Sequence, residues 1–557
     1  MSTTTTDAGA TSAVDEQPST HKVSLAALTA LVIGSMIGGG IFGLPQQMAQ
    51  AAAPGPLIIG WLITGVGMLM LAFVYQRLAV NKPEIEAGVY GYARAGFGDL
   101  VGFSSAWGYW ISAWIGNVGY LVLLMASFGV FLPGFGAGNT ALAIGVASVI
   151  MWLFHVLILR GIREAAIVNA LITIGKVLPL IVFVVIGLLA FKLDVFTQDF
   201  WGAEHGAGSG AVLTQIKGMM LVTVWVFIGV EGASVFSERA KSRTDVGRAT
   251  ILGFVSVLAL LLAVNILSYG IMSRPELAGL DDPSLAGVLQ AAVGAWGAKF
   301  IALGLIISLL GALLSWFLMS AEIMRVPAQE GLLPSVFGRE NAKGTPANAL
   351  WLTMVLVQAF LVWTYFNAST YTNLILLASS LILLPYLLSA LYQLLIAIKE
   401  PSAGRAVDLT VGVFGSLYGV WLLYAAGLVY LLYTAIFYLL GVPLFVWARR
   451  EQKAKVFTTV EWGLVALFTA AAVYAVYGLA SGMMKAAMNM VQSGEFHLLH
   501  PTTLAVIGYM LACYCLGAWM IQQGYASGPA EITVGTMTTV DPFVAVLFGL
   551  FVLGEGA

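Results

Sequence analysis

Residues 33–45 read "IGSMIGGGIFGLP". The run before them, "KVSLAALTALV", is a good apolar helix, and "QQMAQAAAPGP" follows. Gly34, Gly38, Gly39, Gly40 and Gly43 crowd one apolar segment, and each glycine costs about 1 kcal/mol against alanine inside a helix. A second glycine break stands at residues 225–243, "WVFIGVEGASVFSERAKSR", with Gly229 and Gly232 around Glu231. The first break falls in the first apolar span and the second in the sixth. The two breaks thus head successive blocks of five helices, and the odd number makes the second block run inverted. Paired interrupted helices in matching positions of two halves point to the midplane site of a secondary transporter. Unwound backbone at that depth is tolerated only where it lines a cavity. The plainer reading, that small residues let helices pack closely, does not require the breaks to be paired.

The rest of the chain fits that frame. Of its 557 residues 60% are hydrophobic and only 9% charged, against about 25% charged in soluble domains. Spans are expected near 24–46, 55–76, 97–130, 139–159, 166–191, 213–236, 249–273, 300–324, 346–366, 371–397, 407–427 and 429–448, with three more near 461–483, 502–522 and 541–554. The chain is therefore an all-α polytopic membrane protein. With the N-terminus inside, nineteen Lys and Arg fall in inside segments and three, Lys192, Arg274 and Lys485, in outside loops. That asymmetry sets the orientation. The Thr-rich residues 1–20 read as a disordered cytoplasmic tail.

Net charge is −2, so nothing argues for nucleic acid. Cys513 and Cys515 share one apolar run and read as packing residues, neither a disulfide framework nor a metal cluster. No Walker loop or HExxH is present. Neither an enzyme nor a cofactor or metal is expected.

The polar residues inside spans carry the chemistry. At each break a half-helix N-terminus offers free N–H groups to a carboxylate, and freed carbonyls can accept from an ammonium. Together they form an amino-acid-shaped socket. Glu231 lies mid-span, where a carboxylate is a functional candidate by default. It can bind a cationic substrate, hold a proton, switch a gate, or pair with a neighbouring helix. Lys176, ten residues into the fifth span, either snorkels or is a fixed cation in place of a metal ion, tying helices together around the broken first span. If burial lowers its pKa it can also couple a proton. Trp107, Trp110, Trp114, Trp225 and Trp316 are interfacial or packing tryptophans, or faces for a guanidinium. Trp225, six residues before Glu231, is the strongest of them for the second role. Asn117 is either helix glue or a substrate contact. His155, near a span end, reads as structural.

These segments carry a family resemblance. "GSMIGGGIFGLP" resembles the first-span motif of the amino acid–polyamine–organocation superfamily. "GYWISAWIGN", "VTVWVFIGVEGASVFSERA", "LLGALLSWFLMSAEI" and "LPYLLSALY" resemble its basic amino acid antiporter branch, and are most similar to bacterial arginine:ornithine antiporters of the arginine deiminase pathway. The resemblance runs from about residue 21 to 482. It implies two inverted five-helix repeats (about 24–191 and 213–397) with broken helices 1 and 6, plus helices 11 and 12, within a core of 21–455.

It further implies that backbone around Met36, Gly39 and Gly40 holds the substrate carboxylate. Trp225 would be an aromatic lid, Ile228 would shape the pocket, and Glu231 would be the polar gate. Trp316 would stack on the substrate's stem or guanidinium. Ala113 and Asn117 would line the third-span wall, and Ser379 or Ser380 would reach the side-chain head. Lys176 matches a fifth-span lysine found in some relatives where others bind sodium. Position 39 is Gly where agmatine-exporting relatives carry a hydroxyl, so carboxylate binding would rest on backbone alone. Residues 456–557 form a C-terminal extension of about three helices. Its part from about 483, above all "DPFVAVLFGLFVLGE", resembles the closing part of a drug/metabolite-type transporter repeat. It is either a fusion or frame-shift remnant or an accessory hairpin.

The expected function is exchange of external arginine for internal ornithine in the bacterial inner membrane, by alternating access. Lysine is a further candidate substrate, and a homodimer a candidate assembly. The alternative is a proton-coupled importer of a cationic amino acid or polyamine. A channel or sensor suits paired broken helices least.

Overall fold

The computed structural model describes residues 25–85, 88–161, 166–203, 208–231, 243–367, 370–400 and 404–474. These residues contain helices and no strand. The first span is two helices, α1 (Leu25–Met36) and α2 (Leu44–Ala51), with a 3-10 turn at Gly39–Phe42 between them. Gly38 is extended there, with φ −106° and ψ −162°. Pro45 sits in the first turn of α2, where its missing N–H breaks no intrahelical bond. Pro54 starts α3 (Pro54–Asn81) in the same way.

A short helix α4 (Gly88–Phe97) then precedes α5 (Asp99–Gly129). The span expected from residue 97 begins later, because Gly98 takes φ 95° and divides the two helices. α6 (Ala141–Leu159) is capped by the Thr140 side chain, which accepts the Ala143 N–H at 3.2 Å. There follow α7 (Ala166–Ala190), a five-residue α8 (Leu193–Thr197), α9 (Ser209–Phe227) and α10 (Arg243–Ile271).

Two short helices, α11 (Arg274–Ala278) and α12 (Ser284–Val293), lead to α13 (Ala295–Gln329). Ser273 and Glu276 form a capping box on α11. α13 has 35 residues against the 25 expected. At 1.5 Å per residue it is about 52 Å long, well beyond a hydrocarbon core of about 30 Å. Then come α14 (Ala347–Asn367), α15 (Tyr371–Lys399), α16 (Arg405–Glu451) and α17 (Thr459–Tyr474). The expected spans at 407–427 and 429–448 both lie in α16 and meet at Gly427, whose φ of 77° and ψ of 162° are not helical.

Among the described residues nine helices are long and apolar enough to cross a membrane. That number leaves out the broken first span and takes α16 as one helix. The polar tail at 1–20, the second break from Gly232 to residue 242, and everything after residue 474 lie outside the described residues, and so do the spans expected at 502–522 and 541–554.

α5 is the axis of the bundle. From Gly102 to Ser127 every residue but Tyr109 is buried, and α13, α14, α15 and α16 pack around it. α6 and α14 instead turn Leu142, Val149, Leu153, Trp351 and Val355 outward. On the expected cytoplasmic side, Asp99 accepts from Arg94 at 2.9 Å and Arg449 at 2.7 Å, and Arg94 also pairs with Glu330 at 2.8 Å. These half-exposed pairs tie the ends of α4, α5, α13 and α16 together. On the opposite side the loop 272–294 is strapped to α2. Arg274 donates to the Ala49 carbonyl at 3.0 Å, and the Gln46 N–H donates to Ser284 Oγ at 3.2 Å.

Candidate functional site

The site is built on one face of α5. Tyr109, Ala113, Gly116, Asn117 and Tyr120 recur at three- and four-residue steps, so they share a side of the helix. That side meets both breaks.

At the sixth-span break, α9 ends after Phe227 and Ile228 leaves the helix with φ −57° and ψ 127°. Gly229 takes φ 105°, a conformation glycine adopts without strain. The turn brings Glu231 back into the bundle, 7% exposed. Its carboxylate accepts from the Tyr109 hydroxyl at 2.7 Å, the Tyr386 hydroxyl at 2.8 Å and the Gly229 N–H at 3.1 Å. Hydrogen bonds to an ionised acceptor are about twice as strong as neutral ones. All three of these donors are neutral groups.

Trp225 lies on the last turn of α9. Its indole N–H donates to the Tyr371 hydroxyl at 2.8 Å, and its ring meets Tyr120 edge-on with centroids 5.5 Å apart. The first break lies against the same ring. A Cβ built on Gly40 would stand 2.8 Å from Trp225 Cδ1 and 3.0 Å from Val226 Cγ1. Only glycine lets the two breaks touch without moving the indole. Gly40→Ala is expected to push the indole off Tyr371 and weaken substrate binding about tenfold, the scale of an overpacking strain of 1–3 kcal/mol. Equilibrium binding of radiolabelled arginine measures this, and a Kd within twofold of wild type would contradict it.

The remaining predicted residues lie as follows. Met36 is buried at the end of α1, and a Cβ on Gly39 would meet Leu309 at 2.6 Å and Leu123 at 3.3 Å. Lys176 Nζ donates to the Gly34 carbonyl at 3.0 Å and the Ile37 carbonyl at 3.4 Å. It thus reaches across to the backbone just before the first break. Asn117 Nδ2 donates to Ser320 Oγ at 3.3 Å, and Ser320 donates to the Trp316 carbonyl at 2.7 Å. Asn117 therefore glues α5 to α13, while its Oδ1 has no hydrogen-bond partner among the described residues. Trp316 is half-buried and Ala113 buried. Ser379 Oγ is buried with no hydrogen-bond partner among the described residues. Ser380 donates to the Leu377 carbonyl at 2.8 Å and accepts from Thr434 at 3.1 Å, so its hydroxyl engages α16. His155 packs edge-on to Trp351, centroids 4.2 Å apart. Among the described residues no group of His, Cys, Asp and Glu could hold a metal ion.

Sequence reasoning missed Tyr109, Tyr120, Tyr371, Tyr386 and Ser320. The helical spacing from Tyr109 to Tyr120 was the available signal. Tyr371 and Tyr386 gave none, because each is paired only across the fold.

An amino acid permease family model matches residues 23–460. The chain belongs to the amino acid permease family. It is a member of the amino acid–polyamine–organocation superfamily, as the first-span motif led us to expect. The permease is 54% identical over 479 residues to an arginine/ornithine antiporter of Pseudomonas aeruginosa, covering 84% of this chain and 99% of that one. It is 42% identical to an L-lysine transport protein of Corynebacterium glutamicum, over 83% of this chain and 95% of that one. Identity is also 42% to an arginine/agmatine antiporter of Chlamydia caviae, over 77% of this chain and 90% of that one. The permease is thus a multi-pass membrane protein whose relatives carry amino acids and related cations.

Proposed function

We propose that this permease exchanges external arginine for internal ornithine by alternating access across the bacterial cytoplasmic membrane, with its N-terminus inside. The observation that carries the reading is the buried Glu231 carboxylate, held by two tyrosine hydroxyls. Arginine and ornithine both carry about one positive charge at neutral pH, so exchange is electroneutral and Glu231 always faces a cation. An empty site would return without the cation that the buried carboxylate meets in both loaded states, which slows that return. Names of similar proteins support the substrate pair, and the bias of Lys and Arg supports the orientation.

In this reading the core, 21–455, comprises two inverted five-helix repeats with the breaks at their heads. Backbone at Met36, Gly39 and Gly40 holds the α-carboxylate. Trp225 covers the substrate and Ile228 shapes the pocket. Ala113 and Asn117 form the α5 wall, Trp316 stacks on the side chain, and Ser379 or Ser380 reaches its head from α15. Lys176 fixes the first break as a permanent cation.

Reconstituted vesicles test the function. Arginine uptake is expected into vesicles loaded with ornithine and not into empty ones, with or without a pH gradient. Uptake into empty vesicles driven by acid outside would establish the proton-coupled importer instead. Competition by lysine, agmatine and putrescine then sets the substrate range.

A further inference from the structure

Several cations on the expected cytoplasmic side are matched. Lys82, Arg94, Arg325 and Arg449 each meet a carboxylate at 2.9 Å or less. Arg160 and Lys343 differ. Both are exposed, and neither forms an ion pair among the described residues. They stand on separate elements that are fastened to each other. Arg160 follows the last residue of α6 as its C-cap. Lys343 lies on the loop between α13 and α14, and that loop holds the same helix end. Asn341 Nδ2 donates to the Leu159 carbonyl at 3.0 Å, and Thr345 Oγ1 donates to the Ile158 carbonyl at 3.1 Å. The Lys343 N–H donates to Asn341 Oδ1 at 2.9 Å, which folds the loop between those two anchors. A Cβ built on Gly161 would stand 3.2 Å from Lys343 Cβ. The lysine stem therefore lies against the residue next to Arg160.

A cation at a helix C-terminus can serve the helix's own last carbonyls. Here the neutral Asn341 and Thr345 side chains already cover two of them. Nor does the loop's own carboxylate match the lysine, because Glu340 accepts from Arg325 at 3.1 Å. Two neighbouring like charges repel, and an anion between them relieves the repulsion. Depth says which anion. α6 has 19 residues, about 28 Å at helical rise, against a hydrocarbon core of about 30 Å. Its two ends therefore mark the two headgroup levels, and Arg160 stands at the inner one. Val149, Leu153 and Val156 on α6, and Trp351 and Val355 on α14, are exposed deeper in the same span. The two cations thus head an apolar wall that acyl chains can cover.

We propose that Arg160 and Lys343 form a binding site for the phosphate of an anionic phospholipid in the cytoplasmic leaflet, with its chains along α6 and α14. Guanidinium and ammonium groups only donate, and ionised phosphate oxygens only accept. Basic pockets between membrane helices on the cytoplasmic side suit such headgroups. A zwitterionic lipid fits less well, because its own ammonium repels the two cations. The bound lipid bridges α6 to the loop that follows α13, the helix of Trp316 and Ser320. Which leaflet it belongs to rests on the proposed orientation; the site itself does not depend on what the permease carries.

The test is native mass spectrometry of the purified full-length protein in detergent, titrated with phosphatidylglycerol and, separately, with phosphatidylcholine. Wild type is expected to retain phosphatidylglycerol at the lower lipid concentration. Arg160→Gln and Lys343→Gln should each weaken its tightest binding about fivefold, and the double variant about thirtyfold, the scale of one basic residue near an anionic surface. Arg450→Gln removes an exposed cytoplasmic cation elsewhere and should leave binding unchanged. Equal retention by wild type and the double variant overturns the site. So does an equal loss in Arg450→Gln, which would mark a general effect of charge. Displacement of the lipid by millimolar inorganic phosphate also overturns it, since that marks a site for a free anion. If the double variant does not fold, the two single variants decide. The readout needs no transport, so a failed exchange assay leaves the lipid site standing, and a failed lipid site leaves the exchange reading standing.

Discussion

Glu231→Gln is expected to reduce arginine counterflow to about 1% of wild type while leaving the protein folded. Glutamine is nearly the same size and still offers an acceptor to Tyr109 or Tyr386, whose hydroxyls can rotate to suit it. What disappears is the negative charge. Removing one partner of a buried ion pair costs about 3–5 kcal/mol, which corresponds to roughly 10²–10³-fold in affinity. Counterflow in proteoliposomes reads the transport loss, and a thermal melt of the purified variant reads the fold. Normal counterflow in the variant would remove Glu231 from the site. The same substitution should relax the preference for a cation, so a neutral isostere such as citrulline should compete better than it does in wild type.

The second large effect is expected at Lys176. α1 ends at Met36, and the Ile37 N–H satisfies only the Ile33 carbonyl. The Gly34 carbonyl falls in the last turn, where carbonyls have no intrahelical partner. Lys176 covers it, and the Ile37 carbonyl beyond, with one ammonium. A hydrogen bond to a charged group contributes about 1.5–3 kcal/mol. Lys176→Met keeps the apolar stem and loses the ammonium. Its expected result is a melting temperature lower by several degrees and exchange reduced at least tenfold, about what 1.4 kcal/mol or more in binding would give. Lys176→Arg, which keeps the charge and the donors, should restore most of both. A melting temperature equal to wild type in Lys176→Met would show that the first break holds itself open without the lysine.

How much of this was legible in the chain depended on whether a residue breaks a rule of the membrane. Glycines inside an apolar span, a mid-span carboxylate and a mid-span ammonium each carry a cost that demands a reason, so the two breaks, Glu231 and Lys176 stood out. The spans were legible because run length alone marks them, and the helices follow the expected segments up to residue 448. Tyrosine breaks no such rule. Tyr109, Tyr371 and Tyr386 become site residues only through partners 122, 146 and 155 positions away, which no local pattern encodes. Gly98 and Gly427 shifted helix boundaries through dihedral angles that neighbouring residues do not announce.

The burial of α5 has a consequence for the lipid. A helix shielded from Gly102 to Ser127, save for Tyr109, does not feel the thickness of the bilayer directly. Mismatch between a span and the hydrocarbon core costs fractions of a kcal/mol per ångström, and helices that touch lipid absorb it by tilting. Here that work falls to outer helices such as α6 and α14, whose apolar faces are open. The wall of Tyr109, Ala113, Asn117 and Tyr120 keeps its spacing meanwhile. Substrate affinity should therefore be nearly the same in vesicles of short-chain and long-chain lipid, and any dependence on chain length should appear in turnover, where the outer helices must move.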